Sequence, residues 1–435
     1  MRRLAQQRLL RASGALGTTW SPEGRGALPV LAAAGAAAVA AGGLAARSPV
    51  IGIALAAALA IVGVATRVSL LGATQFLLAL LPWMLVFDTF MPPLSRTFVT
   101  AAAAGGVLAL SLPLRYRSML GPVSAAVFAA VILLWASLAT DADQLTKLAK
   151  VLILPVVVAA VLSERGQAIL PQVRNIVVAS GLAALTVHLL VVTAGLGELG
   201  YRYGVGEKIG FGPEIPHELA LLAVVLAGAG LTMSERVPVR AGLFALGVLP
   251  ALMTGVRSAL LGVALILIVM LYQSRLSGRS LAIVGMVAAV ALATGAQGAL
   301  TERISADVEG GASVQQFSNE RTLIWGAAMG SWWGPGPGTW LVGTGPDSIP
   351  DVVEREVGDR LIGHSDVVEV LVELGAIAFA AWLLMWLALF RGGLNPMLLI
   401  PVAVYAVVNG AIGYTAAMTL GLVLAAACRA PPRPE

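Results

Sequence analysis

The sequence predicts an all-α, polytopic integral membrane protein, and two observations carry this prediction. Hydrophobic residues make up 58% of the 435 residues and charged residues only 12%, with a mean hydropathy of +0.88. Apolar runs of about 17–25 residues recur along the chain, which is the length that a helix needs to cross roughly 30 Å of hydrocarbon. Because lipid offers no hydrogen-bond partners, each run is expected to form a helix that satisfies its own backbone.

Charged residues and Pro- or Gly-rich points divide the chain into a helical bundle of about 12–14 spans. We place them at residues 28–46, 49–66, 69–88, 97–112, 121–139, 145–162, 173–194, 215–233, 239–254, 258–273, 281–298, 366–390, 396–411 and 413–428. The short pair of spans on either side of Arg257 can also be read as one broken or re-entrant unit.

The distribution of Lys and Arg sets the expected orientation. With the N-terminus in the cytoplasm, the inner loops and both termini hold 17 of the 28 Lys and Arg residues. The short outer loops hold only Arg47, Arg96, Lys147 and Lys150. The positive-inside rule therefore predicts cytoplasmic termini, and it places Arg257 and the two longest connecting segments on the outer side.

The expected organisation has five parts. They are an N-terminal cytoplasmic tail (1–27), transmembrane helices (28–298) with an outer loop at 195–214, a large outer loop (299–365), C-terminal transmembrane helices (366–428) and a cytoplasmic tail (429–435). The N-terminal tail has no apolar core, so we expect the first apolar run to be a retained helix rather than a signal peptide.

Cysteine content and charge exclude two other features. The single cysteine, Cys428, cannot form an intramolecular disulfide. The net charge of +5 is spread over short loops between spans, so no nucleic-acid partner is expected. The lipid bilayer is the expected environment.

An ionisable cluster lies in DRLIGHSDVVEVLVELGAI, at the outer mouth of an apolar span. His364 is one of only three histidines in the chain, and an imidazole is well matched to proton transfer near neutral pH. Asp366, Glu369 and Glu373 recur at helical spacing, so they share a face that should point to the bundle or to water. Alternatively, Ser365 or Asp366 caps the helix and Glu369 is a favourable first-turn charge.

Arg257 lies in LMTGVRSALLG, between two apolar runs. An arginine at membrane depth is costly and usually faces a cavity or a partner. Its planar guanidinium is suited to bidentate contact with phosphate oxygens. The alternative is that the side chain snorkels to the outer interface.

The large outer loop contains ERTLIWGAAMGSWW followed by GPGPGTWLVGTGP. The first stretch is expected to be an amphipathic helix lying on the membrane, with Leu323, Trp325, Trp332 and Trp333 at the interface. The second is expected to be a tight, non-helical turn. Its glycines either order the turn alone or let backbone amides approach a phosphate, although the spacing matches no P-loop.

Further polar residues flank or interrupt the remaining spans. Arg202 and Lys208 are cations of the loop at 195–214, while His217 and Glu218 open the next span.

Two further sites have mainly structural interpretations. Asp141 and Asp143 precede an apolar run, where an aspartate is more often a helix cap than a metal ligand, and no metal site is expected. His188 lies inside an apolar span and is expected to be a packed, neutral histidine.

Four stretches resemble, in their order and spacing, the O-antigen ligase and O-antigen polymerase superfamily: TGVRSALLG, ERTLIWGAAM with GPGPGT, GHSDVVEVLVELGAI and, more loosely, GFGPEIPHELA. Members of this superfamily are many-span glycosyltransferases of the GT-C type. The resemblance implies a glycan donor linked through diphosphate to undecaprenol. It also implies transfer at the periplasmic face of the bacterial inner membrane, so that the large outer loop is periplasmic. We expect inverting chemistry without a cofactor or a metal ion.

The resemblance also implies roles for individual residues. His364 would act as the general base that takes the proton of the acceptor hydroxyl. Arg257, Arg202 and Arg321 would hold the donor diphosphate, with Lys208 as the substitute for Arg202.

Other polar residues would contact the acceptor or support the residues that do: Asp366, Glu369, His217 and Glu218. Ser365 stands where the family usually has Asn, and Pro216-His217 stands where it tends to have Pro-Asn, which bears on the acceptor contacts. Trp332, Trp333 and Trp340 would stack on sugar or anchor the loop, and we favour anchoring.

The sequence leaves several functions open. A ligase passes the glycan to lipid A–core, whereas a polymerase passes it to another lipid-linked repeat unit; we expect the ligase, with the polymerase as the alternative. A lipid-linked sugar transporter or flippase should carry charges midway through several spans. Ionisable residues in the middle of the predicted spans are nearly absent apart from His188, and the polar groups gather on one face, which argues against transport. A non-catalytic scaffold is the third alternative.

Overall fold

The computed structural model describes the chain in separate ranges: residues 69–86, 93–139, 141–193, 215–234, 236–254, 256–273, 278, 285, 321–334, 336–358 and 365–429. Every regular element in these ranges is a helix. The predicted spans at 28–46 and 49–66, the loop at 195–214 and nearly all of the span at 281–298 lie outside them.

Fifteen helices occupy the described ranges. They are α1 (Leu70–Val86), α2 (Pro93–Leu110), α3 (Leu120–Leu138), α4 (Ala142–Leu162), α5 (Glu164–Ile169), α6 (Pro171–Thr193), α7 (Ile215–Gly230), α8 (Val237–Met253), α9 (Arg257–Gln273), α10 (Arg321–Trp333), α11 (Pro337–Val342), α12 (Ser348–Val357), α13 (Asp366–Arg391), α14 (Pro396–Val408) and α15 (Thr415–Ala427).

The prediction of a helical membrane protein is confirmed. Among the described helices, α3, α4, α6 and α13 are long and apolar enough to cross a membrane, and seven shorter helices are also apolar. Together these eleven helices coincide with eleven of the predicted spans. Helix α3 exposes Val127, Leu133 and Leu134, as expected of a helix that contacts lipid.

Helix α15 lies at the centre of the bundle, and all of its residues are buried. It contacts α1, α2, α4, α6, α7 and α14. Its sequence, TAAMTLGLVLAAA, consists largely of small residues, which let neighbouring backbones approach closely. At Gly421 an added Cβ would lie 2.6 Å from the Val402 side chain, so glycine permits the contact with α14.

The segment predicted as the large outer loop, which keeps that name below, contributes three helices that fold onto the start of α13. Apolar side chains of α10, α12 and α13 form a small separate core, made of Ile324, Ala327, Ala328, Trp332, Ile349, Val352, Val353, Val368 and Val372. The predicted helix is present as α10, and Trp332 packs inside this core. Its placement on the membrane surface stays a prediction.

The prediction that GPGPGTWLVGTGP contains no helix is wrong, because Pro337–Val342 form α11. Proline suits the first turn of a helix, and the four residues before Gly343 include no glycine. The segment after α11 is a turn, as expected, with Gly343 and Gly345 at positive φ.

This turn is inserted against a break in α13. Gly375 has a φ of 84° and interrupts the helix that the sequence predicts as one continuous span. The amide of Thr344 donates to the Val372 carbonyl at 2.8 Å, and the amide of Gly345 donates to the Glu373 carbonyl at 3.0 Å. Amides of the loop thus satisfy carbonyls that the break releases from the helical pattern.

Replacement of Gly375 or Gly343 by Ala should destabilise the protein. An added Cβ would lie 2.4 Å from the Leu341 carbonyl oxygen at Gly375 and 2.2 Å from that of Glu373 at Gly343. The positive φ alone costs about 1–3 kcal/mol for a residue with a side chain. We expect a clearly lower midpoint of thermal unfolding in detergent for both variants.

The control for this measurement is Gly242→Ala. Gly242 lies on the exposed side of α8, and an added Cβ meets nothing within 4 Å. This variant should unfold at or above the wild-type temperature, since alanine favours helix by up to about 1 kcal/mol. If Gly375→Ala is as stable as wild type, the close packing of the loop turn against the break at Gly375 is wrong.

Candidate functional site

Most of the described motif residues meet at the connection between α14 and α15, residues 407–417, which we call the junction. The chain is not helical from Asn409 to Tyr414, and Gly410 has a φ of 76°. The junction lies in apolar surroundings, so its backbone groups need protein partners. Motif side chains supply many of them.

Arg321 and Ser365 bind neighbouring carbonyls at the end of α14. The Arg321 guanidinium donates to the Val408 carbonyl and, at 2.8 Å, to Oδ1 of Asn409. The Ser365 hydroxyl donates to the Val407 carbonyl at 2.7 Å. These are carbonyls at the C-terminus of a helix, where the helix itself offers no partner. The starts of α10 and α13 are thereby held side by side.

Asn409 extends the same network toward α7 and α9. Its amide nitrogen donates to the Ser258 hydroxyl and lies 3.4 Å from Nδ1 of His217. The His217 ring stacks on Tyr414, with ring centroids 6.2 Å apart. Because Ser258 directly follows Arg257, this network fixes the start of α9 against the junction.

Arg257 and Arg321 bring two positive charges to this place. Both side chains are half-buried. Burial lowers the pKa of the Arg321 guanidinium below its usual range, and the nearby Arg257 cation lowers it further. Two arginines this close, on separate elements, form a concentrated positive charge suited to an anion.

Two buried carboxylates hold the junction backbone from the other side. Both oxygens of Asp366 accept from the Ile412 amide, at 3.0 and 3.1 Å. Oε1 of Glu218 accepts from the amides of Ala416 at 3.2 Å and Ala417 at 3.4 Å, in the first turn of α15. The alternative interpretation of this cluster holds in part: Ser365 is the N-cap residue of α13 and Glu369 lies in its first turn, but the Ser365 side chain makes no cap hydrogen bond.

Glu218 also forms an ion pair that the sequence does not predict. Its Oε2 lies 3.1 Å from Nη1 of Arg96, and the two residues are 1% and 6% exposed. The sequence predicts Arg96 in a short outer loop. The structure instead places it in α2, inside the bundle, because a buried carboxylate compensates its charge.

Lys147 is a second cation that was counted with the outer loops, although the predicted span 145–162 includes it; the structure places it inside α4. Its Nζ lies 2.8 Å from Oε1 of Glu373 and 3.6 Å from Oδ1 of Asp347. It therefore links α4 to both the outer loop and α13. Glu373 is buried and Glu369, beside the same lysine, is half-buried. The prediction that the carboxylate face of α13 points to the bundle is thus confirmed.

Two structural predictions hold. Asp141 caps α4, with its carboxylate accepting from the Gln144 amide at 2.8 Å. His188 is packed in the core and is 1% exposed.

The structure brings together Arg257, Arg321, His217, Glu218 and Asp366 around the junction. Glu369 lies beside Lys147 and lines a small pocket with Ile412 of the junction. The remaining predicted site residues lie outside the described ranges: His364, Arg202 and Lys208.

Sequence reasoning missed Asn409 and the junction itself. The predicted spans 396–411 and 413–428 leave a break of one residue, whereas α14 ends at Val408 and α15 begins at Thr415. The stretch NGAIGY, with an asparagine, two glycines and a tyrosine between apolar runs, was the available signal.

A comparison of the chain with protein-family models found no match, and a search of curated protein sequences also found none. The interpretation of the site therefore depends on its own residues and geometry.

Removing one partner of the buried pair should destabilise the bundle strongly. In Arg96→Met the Glu218 carboxylate remains buried without its cation, which typically costs about 3–5 kcal/mol. Adding Glu218→Gln should restore part of the loss, because the amide oxygen can still accept from Ala416 and carries no charge. The midpoints of thermal unfolding of the single and double variants in detergent measure the loss of stability and its recovery.

Arg117→Met is the matched control. Arg117 lies 3.6 Å from Glu164 with side chains 82% and 49% exposed, and such surface pairs contribute about 0–1 kcal/mol. Equal unfolding temperatures for Arg96→Met and Arg117→Met would show that the buried pair has no special importance.

Proposed function

We propose that this protein is a GT-C-type membrane glycosyltransferase with about 12–14 spans, located in the bacterial inner membrane with both termini in the cytoplasm. It transfers a glycan from an undecaprenyl-diphosphate donor to an acceptor sugar at the periplasmic face, most simply as an O-antigen ligase. The observation that carries this proposal is the convergence of Arg257, Arg321, His217 and Ser365 on one junction.

The two arginines serve the donor. As the glycosyl bond breaks, negative charge grows on the departing diphosphate, and cations held in place stabilise it without reorganisation. A guanidinium can contact two phosphate oxygens at once. Arg257 and Arg321 provide such groups, and Arg202 or Lys208 from the neighbouring outer loop would complete the set.

His364 serves the acceptor. It directly precedes Ser365, whose hydroxyl is bonded to the end of α14 next to the anchoring point of Arg321. The imidazole takes the proton of an acceptor hydroxyl, and that oxygen forms a bond to the anomeric carbon. The bond from this carbon to the diphosphate breaks, and the lipid diphosphate leaves with the electron pair. A single displacement of this kind inverts the anomeric centre.

The buried carboxylates have a supporting role in this scheme. Asp366 and Glu218 bind backbone amides of the junction. In this scheme they fix the junction around which Arg257, Arg321 and His364 act. His217 and Glu369 are the residues that we assign to acceptor contact.

A lipid-linked sugar transporter is the alternative that one observation favours. The pairs Arg96–Glu218 and Lys147–Glu373 place charges inside apolar helices, where the sequence predicts almost none. Arg96, Lys147 and Glu218, however, all lie within the first six residues of their helices, at the end of the bundle that holds the junction. Transport requires polar contacts at the bilayer centre, so transfer at one face explains this placement better.

A deletion strain complemented with variants tests the proposal. His364→Ala and Arg257→Ala should each give the surface-glycolipid gel pattern of the uncomplemented strain, provided that both proteins reach wild-type levels in the membrane. Losing a general base or an oriented cation costs about 100-fold or more in rate. The gel pattern of the uncomplemented strain also distinguishes a ligase from a polymerase. Undecaprenol-linked chains with bare core indicate a ligase, and core with single repeat units indicates a polymerase.

Arg391→Ala is the control for loss of an arginine. Arg391 is exposed at the far end of α13, away from the junction, so this variant should restore the normal pattern. Normal glycolipid from both His364→Ala and Arg257→Ala would refute glycosyl transfer at this site.

A further inference from the structure

A polar groove lies in the outer loop, at a distance from the junction. It is a cavity of about 710 Å³ between the end of α10 and one face of α12. Its polar lining consists of Ser331, Thr344, Ser348, Asp351, Arg355 and Glu356. This volume lies within the range of about 300–1,000 Å³ that is typical of sites for small ligands.

The groove follows from the amphipathic character of α12. One face of this helix buries Ile349, Val352 and Val353 against α10 and α13. The other face carries Ser348, Asp351 and Arg355, at spacings of three and four residues, and these line the groove. The apolar face thus fixes α12 in place and leaves a row of hydrogen-bonding groups on the open side.

Contacts within the loop hold these groups in position. The hydroxyls of Thr344 and Ser348 are 2.6 Å apart. Nε of Arg355 donates to the Asp351 carbonyl at 3.2 Å, which orients the guanidinium along the helix. Thr344 is also bonded to the Val372 carbonyl at the break in α13. The groove is therefore built on the same inserted turn that joins the loop to the bundle.

The α10 side of the groove has no side chains at two positions, Gly330 and Gly334. An added Cβ at Gly330 meets nothing within 4 Å, and one at Gly334 meets only the Gly330 carbonyl oxygen, at 3.4 Å. Packing therefore does not require glycine there. The absence of side chains leaves open space in which a sugar ring can approach the backbone.

A pair of stacked tryptophans lies near the glycine-containing end of α10 in the chain. Trp333, next to Gly334, is 62% exposed and stacks on Trp340 with ring centroids 4.8 Å apart. The Trp340 indole donates to the Trp333 carbonyl at 2.8 Å, and the Trp332 indole donates to the Trp340 carbonyl at 3.2 Å. A rigid aromatic face of this kind can receive the apolar face of a sugar ring while its neighbours bond the hydroxyls.

The geometry points to a glycan-binding subsite in this groove, an inference that rests on the proposed transfer function. Sugar hydroxyls donate to the carboxylates of Asp351 and Glu356 and accept from Arg355. The polar lining is unsuited to an acyl chain, because burial of its unpaired groups would be costly. The ligand class is thus a glycan segment, contributed either by the donor or by the acceptor.

The position of the groove sets which part of a glycan it contacts. Helix α10 begins at the junction with Arg321 and reaches the groove at Gly330 and Gly334. Nine to thirteen residues of helix correspond to about 14–20 Å. A single sugar cannot bridge that distance, whereas a chain of several sugars can. The subsite therefore recognises units remote from the reacting one and selects substrates by the length and identity of the chain.

Isothermal titration of the purified full-length protein in detergent tests this subsite. The probes are two lipid-free glycans, released by mild acid from the surface glycolipid of the expressing strain: the polysaccharide and the core oligosaccharide. The released polysaccharide still carries the core at its reducing end, so binding of both glycans assigns the groove to the acceptor, and binding of the polysaccharide alone assigns it to the donor. Gly330→Leu, whose side chain fills the open space beside Gly330, and Asp351→Asn should each weaken glycan binding at least tenfold.

Gly326→Leu is the matched control, since it lies one turn earlier on α10, is exposed and has nothing within 4 Å of an added Cβ. It should bind as wild type does. Equal binding by Gly330→Leu and wild type, or no binding of either glycan by wild type, would overturn the subsite.

Failure of the subsite is distinguishable from failure of the transferase proposal. Neither probe contains diphosphate, so binding does not require Arg257 or catalysis. His364→Ala should bind the glycan normally while giving the null gel pattern. If Gly330→Leu gives a normal gel pattern and binds glycan as wild type does, the proposed subsite is refuted and the proposed transfer function is unaffected.

Discussion

Hydrogen bonding of the backbone where α14 gives way to α15 is the constraint on which the site depends. An interruption of helix inside an apolar bundle exposes amides and carbonyls that lipid cannot satisfy. Here charged and polar side chains from three other segments supply the partners: Glu218 from α7, Arg321 from α10, and Ser365 with Asp366 at the start of α13. Ser258 of α9 bonds the side chain of Asn409 instead. The irregular junction therefore gathers the polar residues that the proposed chemistry uses.

The helices could be predicted because crossing hydrocarbon needs a fixed length of apolar chain, and that length can be read locally. The same local reading assigned Arg96 and Lys147 to loops, since a charge in an apolar sequence looks like an interruption. Their positions depend on Glu218 and Glu373, which are distant in sequence and neutralise them by contact. The break at Gly375 was missed for a related reason: the loop that stabilises it comes some thirty residues earlier.

The candidate site was predicted by residue type more successfully than by location. Arg257 was identified because a planar cation between two apolar runs suits a diphosphate, and Arg321 because of the family resemblance. That Arg321 and the start of α9 meet at Asn409 could not be read from spacing, because the contacts join residues 217, 258, 321 and 409, which no helical period relates. Carboxylates expected near an acceptor, Asp366 and Glu218, instead hold backbone amides. Their charge suggested chemistry, whereas their burial shows a structural task.

The interruption at Gly375 divides α13 into two parts with different attachments. The nine residues from Asp366 to Leu374 are bonded to the junction at one end and to the outer-loop turn at the other, while the remainder of the helix stays within the bundle. The short part thus connects the loop to the junction. Glu373 of the same part also pairs with Lys147 of α4, and Val370 and Leu374 pack in the core of the bundle. The loop, the junction and the membrane helices are therefore all attached to this one short segment.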